Sequence, residues 1–408
     1  MSNNTLSFVR ENSRFLGFGL ALMVLSNFGQ TFYISLYGAE LRQVFSLSHA
    51  GFGLVYSSAT LSSAVILVGI GRRIDDIDLR LYATLLSVGL AVSAGLLSGA
   101  TSLPVLAVAI FGLRLCGQGL MSHAAMTTMG RYFDRQRGRA MSFAGLGAPI
   151  GEALFPMTAV VAMAAIGWRQ TWAASGIFIL CVGLPVLLWL LKGHGARDAR
   201  LKAHINDQQQ SRHASARQWS RRDVLGDRNF HLVLPGVLMP PFVLTGLFFH
   251  QAALAAAKGW TLSWLATAFV VYALVHVAGS VASGFLVDRF GAFKLLVYYL
   301  MPLLAGLIAL GTIDTPWVAV FYLANAALTT GASGVVVNAM WAESYGVSHL
   351  GAIKAMTSAM MVFATAISPV ALGWMLDSGQ SFNRIILFIA VAVGLSIGLF
   401  FMRRNKQA

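Results

Sequence analysis

Charge is scarce in this 408-residue chain: Asp, Glu, Lys and Arg make up 11% of it, against 57% for hydrophobic residues. A soluble fold of that composition would have too little polar surface to cover itself, so a water-exposed globular protein is excluded. Cysteine is nearly absent. The two present, Cys116 and Cys181, sit in apolar runs, and no disulfide framework is indicated. No two histidines show H-x-x-x-H spacing, so no metal site is expected. There is no nucleophile–base constellation and no glycine-rich phosphate loop, so enzymatic chemistry, ATP-driven transport and a bound cofactor are not expected either. Acidic residues are fewer than basic ones, 15 against 29, for a net charge of +14. The basic residues fall in alternate loops rather than on one patch, which argues against nucleic acid as a partner.

Long apolar runs are what the chain has in abundance. About twelve segments of roughly 20 residues recur, the length that a hydrocarbon core of about 30 Å requires. Their approximate limits are 15–38, 51–71, 80–99, 104–124, 141–165, 171–191, 231–256, 263–284, 295–312, 316–340, 355–375 and 385–402. Helix is the expected state, since lipid cannot satisfy free backbone groups and no barrel-type alternation is present. The polar N-terminus and long first run do not read as a cleaved signal peptide.

An even number of spans puts both termini on one side. That side collects 24 of the Lys and Arg residues, whereas Arg42, Arg169, Lys258 and Arg384 are the only four on the other. By the positive-inside rule both termini are expected in the cytoplasm, in an inner, cytoplasmic membrane. One long polar segment, residues 192–229, divides the spans six and six. The expected organisation is a helical half at 1–191, a cytoplasmic linker, and a second half at 230–408. Such a division is characteristic of transporters built from two similar halves.

Repetition supports the division. Gly71-Arg-Arg-Ile-Asp75-Asp76-Ile-Asp78-Leu-Arg80 follows span 2, and Gly284-Phe-Leu-Val-Asp288-Arg289-Phe-Gly291-Ala-Phe-Lys294 follows span 8. The second copy resembles the G-x-x-x-D-R-x-G loop motif of the major facilitator superfamily, which lies between spans 2–3 and 8–9 of that family. In the first copy Asp76 and Asp78 stand where the family has Arg and Gly. Such a Gly lets two helices approach, and the Asp can cap a helix start and pair with a nearby Arg. The stretches from Arg114 through Gly119, Arg131 through Ala140, Gly145 through Gly151 and Glu343 through Lys354 further resemble the monocarboxylate and oxalate–formate branch. The resemblance implies an all-α fold of twelve transmembrane helices in two six-helix halves, working as a secondary transporter.

Two residues are out of place in this pattern. Arg114 is the one basic residue outside a loop or helix end, and Glu152 is the one acidic residue inside an apolar run. An ionised side chain at the bilayer centre costs at least about 2.5 kcal/mol, which calls for an explanation. At about 1.5 Å per residue both lie near mid-depth, on adjacent antiparallel spans 4 and 5 within reach of each other. Three readings follow. The two form a static ion pair that braces the helices; or Arg114 receives an anionic substrate and Glu152 takes up a proton as the substrate captures Arg114; or they have other roles, such as an Arg that contacts only backbone.

Further polar residues punctuate the spans. Asn27, Gln30 and Tyr33 are expected to share one face of span 1, lining a cavity or binding neighbouring helices. Tyr272 and His276, one turn apart at mid-depth in span 8, are candidates for substrate contact, and His276 also for proton coupling. Asn325 in span 10 and His250 at the end of span 7 complete the candidate substrate set. The expected function is uptake of a small organic anion of carboxylate type by alternating access with proton symport, by a monomer surrounded by lipid. The alternative is a proton-coupled antiporter exporting amphiphilic or drug-like compounds.

Overall fold

A computed structural model describes residues 3–71, 74, 77–133, 136–195, 197, 221–345 and 350–402. Among the described residues every regular element is helical. In chain order the main helices are α1 (Asn3–Ser26), α2 (His49–Ile70), α3 (Leu79–Ser98), α4 (Leu103–Tyr132), α5 (Gly138–Ile166) and α6 (Trp168–Leu190). They continue with α7 (Arg228–Phe249), α8 (Leu262–Phe290), α9 (Met301–Thr312), α10 (Trp317–Tyr345), α11 (Leu350–Asp377) and α12 (Phe382–Phe401). Among the described residues ten helices are long and apolar enough to cross a membrane, and the bent pair Phe8–Gly29 and Thr31–Val44, taken as one span, makes eleven. The all-α expectation holds.

Helix α3 shows why these sequences suit lipid. Tyr82, Leu86, Leu90, Ala94 and Leu97 are buried along one face. On the opposite face Leu81, Leu85, Val88, Val92 and Leu96 are exposed at three- and four-residue spacing. A soluble helix would carry polar residues there; an exposed aliphatic stripe of this length requires an apolar solvent. Asp78 starts the helix, its carboxylate accepting from the Arg80 and Leu81 amides at 2.9 and 3.3 Å. In the departing motif copy, therefore, the third Asp serves as an N-cap. Asp75 lies outside the described residues.

Two expected spans differ from their helices. The ninth was expected at 295–312, but α9 has only 12 residues. Pro302 sits in its first turn, and hydrogen-bonded turns over residues 296–300 precede it. In span 1 the helix stops at Ser26 and gives way to a 3-10 turn at Asn27–Gly29, with Gln30 extended at φ −78° and ψ 150°. The helix that resumes at Thr31 is bent by 43° from the first. Asn27, Gln30 and Tyr33 thus do not share one continuous helix face. The Asn27 side chain, bonded to the Met23 and Val24 carbonyls at 3.0 Å each, competes with helix propagation at this point.

The chain forms two compact units: Met1–Tyr33, Ser62–Gly151 and Ala162–Ser215 make one, and Ile34–Leu61, Glu152–Val161 and Ala216–Ala408 make the other. In the first, α3 packs on α6 and α1 packs on α4. In the second, α8 packs on α10, α9 on α10 and α12, and α7 on α11 and α12.

Outside the spans, the second unit joins its α7–α8 and α9–α10 loops through Lys258. Its side chain is 2% exposed, and its ammonium lies 2.5 Å from Asp314, whose carboxylate side chain is 69% exposed. The hydrogen bond and the charge of Lys258 hold Asp314 below the usual carboxylate range. A carboxylate depressed on folding contributes stability above its unfolded pKa, and that contribution is lost as pH falls through the folded value. Asp314→Asn is therefore expected to lower the Tm at pH 7. The difference from wild type should disappear in acid below the depressed pKa, in thermal unfolding followed against pH.

Candidate functional site

Arg114 occupies a π-helical stretch of α4, Leu113–Met121. Such wide turns are rare and are often found at functional sites. The residue is 2% exposed, and its Nη1 donates to the Gly29 carbonyl at 3.0 Å. Glycine makes that contact feasible. A Cβ on Gly117 would lie 2.8 Å from both the N and the Cα of Gly29, so the backbones of the Asn27–Gly29 turn and α4 meet with no side chain between them. Gly117→Val is expected to force them apart, at about 1–3 kcal/mol of stability. In α3, a Cβ on Gly95 would meet nothing within 4 Å, so Gly95→Ala serves as a near-neutral control in the same thermal assay.

Glu152 has a different partner. Its Oε2 lies 3.2 Å from His276 Nδ1, with side-chain exposures of 15% and 22%. Glu152 is the central residue of the 29-residue helix α5, and His276 the central residue of the 29-residue helix α8. Both groups therefore sit at the depth where an unpaired charge is most costly. The Tyr272 ring packs edge-on to His276 at 5.8 Å, and its hydroxyl donates to Thr330 Oγ1 at 3.3 Å. Helices α8 and α10 approach closely here: a Cβ on Gly331 would lie 2.7 Å from Ser280 N and 3.1 Å from Gly279 C. This small-residue contact fixes the rotation of α8 that presents His276 to Glu152.

The other predicted residues are distributed widely. Asn27 also donates to the Gly147 carbonyl at 3.3 Å, fastening α1 to the start of α5. Tyr33 bonds Ser175 Oγ at 3.3 Å and packs edge-on against Phe28 and Trp172. Asn325 donates to Phe321 one turn back on its own helix. His250 is buried, with Nε2 2.9 Å from the Pro369 carbonyl. In the second motif copy Gly291 has φ +79°, a conformation that favours glycine, and Asp288 and Arg289 are exposed. The helix start that follows is capped by Glu343, whose carboxylate accepts from the Ala292 and Phe293 amides at 3.0 and 3.2 Å. The Arg289 guanidinium lies 5.3 Å from the Phe290 ring centroid. Gly71 is buried against His123, and a Cβ on Gly284 would meet nothing within 4 Å.

Residues 19–324, three quarters of the chain, match the family model of the Major Facilitator Superfamily. The chain belongs to that superfamily. It is a multi-pass membrane transporter and not an enzyme. Monocarboxylate transporter 12 of Mus musculus is 21% identical over 95% of this chain and 85% of its own length. The same protein of Rattus norvegicus is 21% identical over 92% and 82%. Among solved structures, a bacterial homologue of the human lysosomal transporter Spinster, inward-facing and occupied, aligns with a TM-score of 0.71 at 15% identity, covering 98% of this chain and 97% of that one. A mutant of the nucleoside transporter NupG aligns with a TM-score of 0.73 at 9% identity, covering 95% and 99%. At these identities the two structures establish the superfamily fold.

Sequence reasoning missed several polar residues of this transporter. Asp377 at the end of α11 caps α2, accepting from the His49 and Ala50 amides at 3.0 and 2.8 Å. Ser35 donates to the Phe248 carbonyl at 2.6 Å and accepts from Gln251 at 2.8 Å. A lone Asp at a helix end and a Ser in a broken span carry no periodic signal. Thr330, the partner of Tyr272, was missed for the same reason.

Proposed function

We propose that this superfamily member moves a small organic anion of carboxylate type across the inner membrane by alternating access, together with a proton. In this reading, six-helix halves at 1–191 and 230–408 flank a cytoplasmic linker at 192–229, both termini are cytoplasmic, and the chain works as a monomer. The observation that carries it is the Glu152–His276 pair at the centres of α5 and α8. Neutral His276 with ionised Glu152 carries one negative charge. Adding one proton to either group makes the pair neutral overall. Arg114 is the complementary case: positive when empty, and neutral in sum once it holds a carboxylate.

Those charges supply the coupling. With both sites empty, +1 and −1 cancel; with substrate and proton both bound, the sum is again zero. With only one of them bound, a net charge of one unit remains at membrane depth, at a cost of at least about 2.5 kcal/mol. Exchange between the two faces is therefore favoured when the transporter is empty or fully loaded, which is symport. Similarity to the monocarboxylate transporters supports a carboxylate as the anion. A thermal-shift screen of the purified protein with short aliphatic and aromatic carboxylates at pH 5.5 and 7.5 tests this. Stabilisation by carboxylates, stronger at the lower pH, is expected. Stabilisation only by cations or neutral amphiphiles would overturn the proposal and favour a drug-type exporter.

A further inference from the structure

A cavity of about 270 Å³ lies in the first unit between residues 11–15 of α1 and residues 190–194 and Arg197 at and beyond the end of α6. Three cationic side chains line it, Arg14, Lys192 and Arg197, and among its lining residues the one carboxylate is Glu11. Each cation is set in place differently. Arg14 Nη2 donates to the Trp189 carbonyl at 3.0 Å, and its guanidinium lies 5.1 Å from the Trp189 ring centroid. Arg197 covers the Phe15 ring at 4.2 Å, and the His194 ring stacks on Phe15 at 5.5 Å. Lys192 is exposed, and among the described residues no carboxylate lies within ion-pair distance of it.

Capping the α6 terminus explains part of this arrangement. Carbonyls left open at a helix C-terminus attract cations, and Arg80 also serves that need by donating to the Leu191 carbonyl at 3.3 Å. It does not explain why Lys192 and Arg197 converge with Arg14 on one cavity facing a single acid. Trp189, 53% exposed, marks the level of the site. An exposed Trp at a span end belongs at the headgroup layer, and the basic-residue count assigns this end to the cytoplasmic leaflet, where anionic lipids collect.

We infer that this cavity binds the phosphate of an anionic phospholipid headgroup, with Arg14, Lys192 and Arg197 as its cationic wall. A phosphodiester brings one negative charge and several strong acceptors to donors that already converge. None of these residues takes part in the proposed transport, so the site stands or fails separately from the substrate assignment.

The test uses the full chain in nanodiscs of phosphatidylcholine with and without phosphatidylglycerol, read by lipid retention in native mass spectrometry and by Tm. Phosphatidylglycerol is expected to be retained preferentially and to raise the Tm by a few degrees. Lys192→Gln should weaken retention about fivefold, the effect of one cation at a membrane surface. Ser13→Glu leaves every cation in place, adds an opposing charge to the exposed rim, and should weaken retention similarly. Equal retention of both lipids by wild type, or retention unaffected by either substitution, would overturn the proposal. So would glycerol phosphate producing the same Tm rise in phosphatidylcholine discs, which would make the site one for soluble phosphates.

Discussion

Arg114→Ala is expected to abolish carboxylate binding while leaving a folded protein. Truncating one partner of a buried, hydrogen-bonded charge pair costs about 2–5 kcal/mol, roughly thirtyfold or more in Kd. Carboxylate-induced stabilisation should therefore vanish at concentrations that saturate wild type. Arg114→Lys keeps the charge but loses the planar fork that can hold a carboxylate while also donating to the Gly29 carbonyl. It should bind more weakly than wild type and more strongly than the alanine variant. An unchanged ligand response in Arg114→Ala would instead make this residue a brace between α1 and α4.

Glu152→Gln should separate the proton from the substrate. Glutamine keeps an acceptor for His276 Nδ1 but cannot cycle between ionised and neutral states. With the charge at this position permanently removed, the substrate-loaded carrier is neutral without a proton. The variant should still exchange labelled substrate across vesicle membranes, but an imposed pH gradient should no longer drive accumulation. Gradient-driven accumulation should fall to the level seen with no imposed gradient, while the exchange rate stays within severalfold of wild type. His276→Gln should shift the pH dependence of uptake while leaving binding at saturating substrate largely intact. Gradient-driven accumulation by Glu152→Gln at the wild-type level would place the proton elsewhere. A loss of both exchange and accumulation would point to a structural role for the Glu152–His276 pair.

How much of this was legible depends on what kind of information a residue carries. The depth of Glu152 and His276 could be counted along the chain, because a helix rises a constant distance per residue. Their pairing could not, since the two are 124 positions apart and on different helices. Counting residues placed Arg114 on the adjacent span within reach of Glu152 and left their pairing open; the partner found is His276 on α8. Pattern also failed at Asn27. A single amide that bonds carbonyls one turn back in its own helix breaks span 1 and separates three residues that helical spacing places together.

By itself the sequence determined the class of solvent, the helical state of most of the long apolar runs and the depth of Arg114 and Glu152 along their helices. Lipid offers no hydrogen bonds, so an apolar run of that length has one economical backbone conformation. The tertiary structure alone decided which helices are neighbours and how each is turned about its axis. Those quantities rest on close backbone contacts such as Gly29 with Gly117, and Gly331 with the backbone of α8. In an apolar solvent hydrophobicity does not distinguish a buried face from a lipid-facing one, so the periodicity that orients a soluble helix is largely missing here. Small residues and hydrogen bonds orient these helices instead, and they gave Arg114 the Gly29 carbonyl and Glu152 its imidazole.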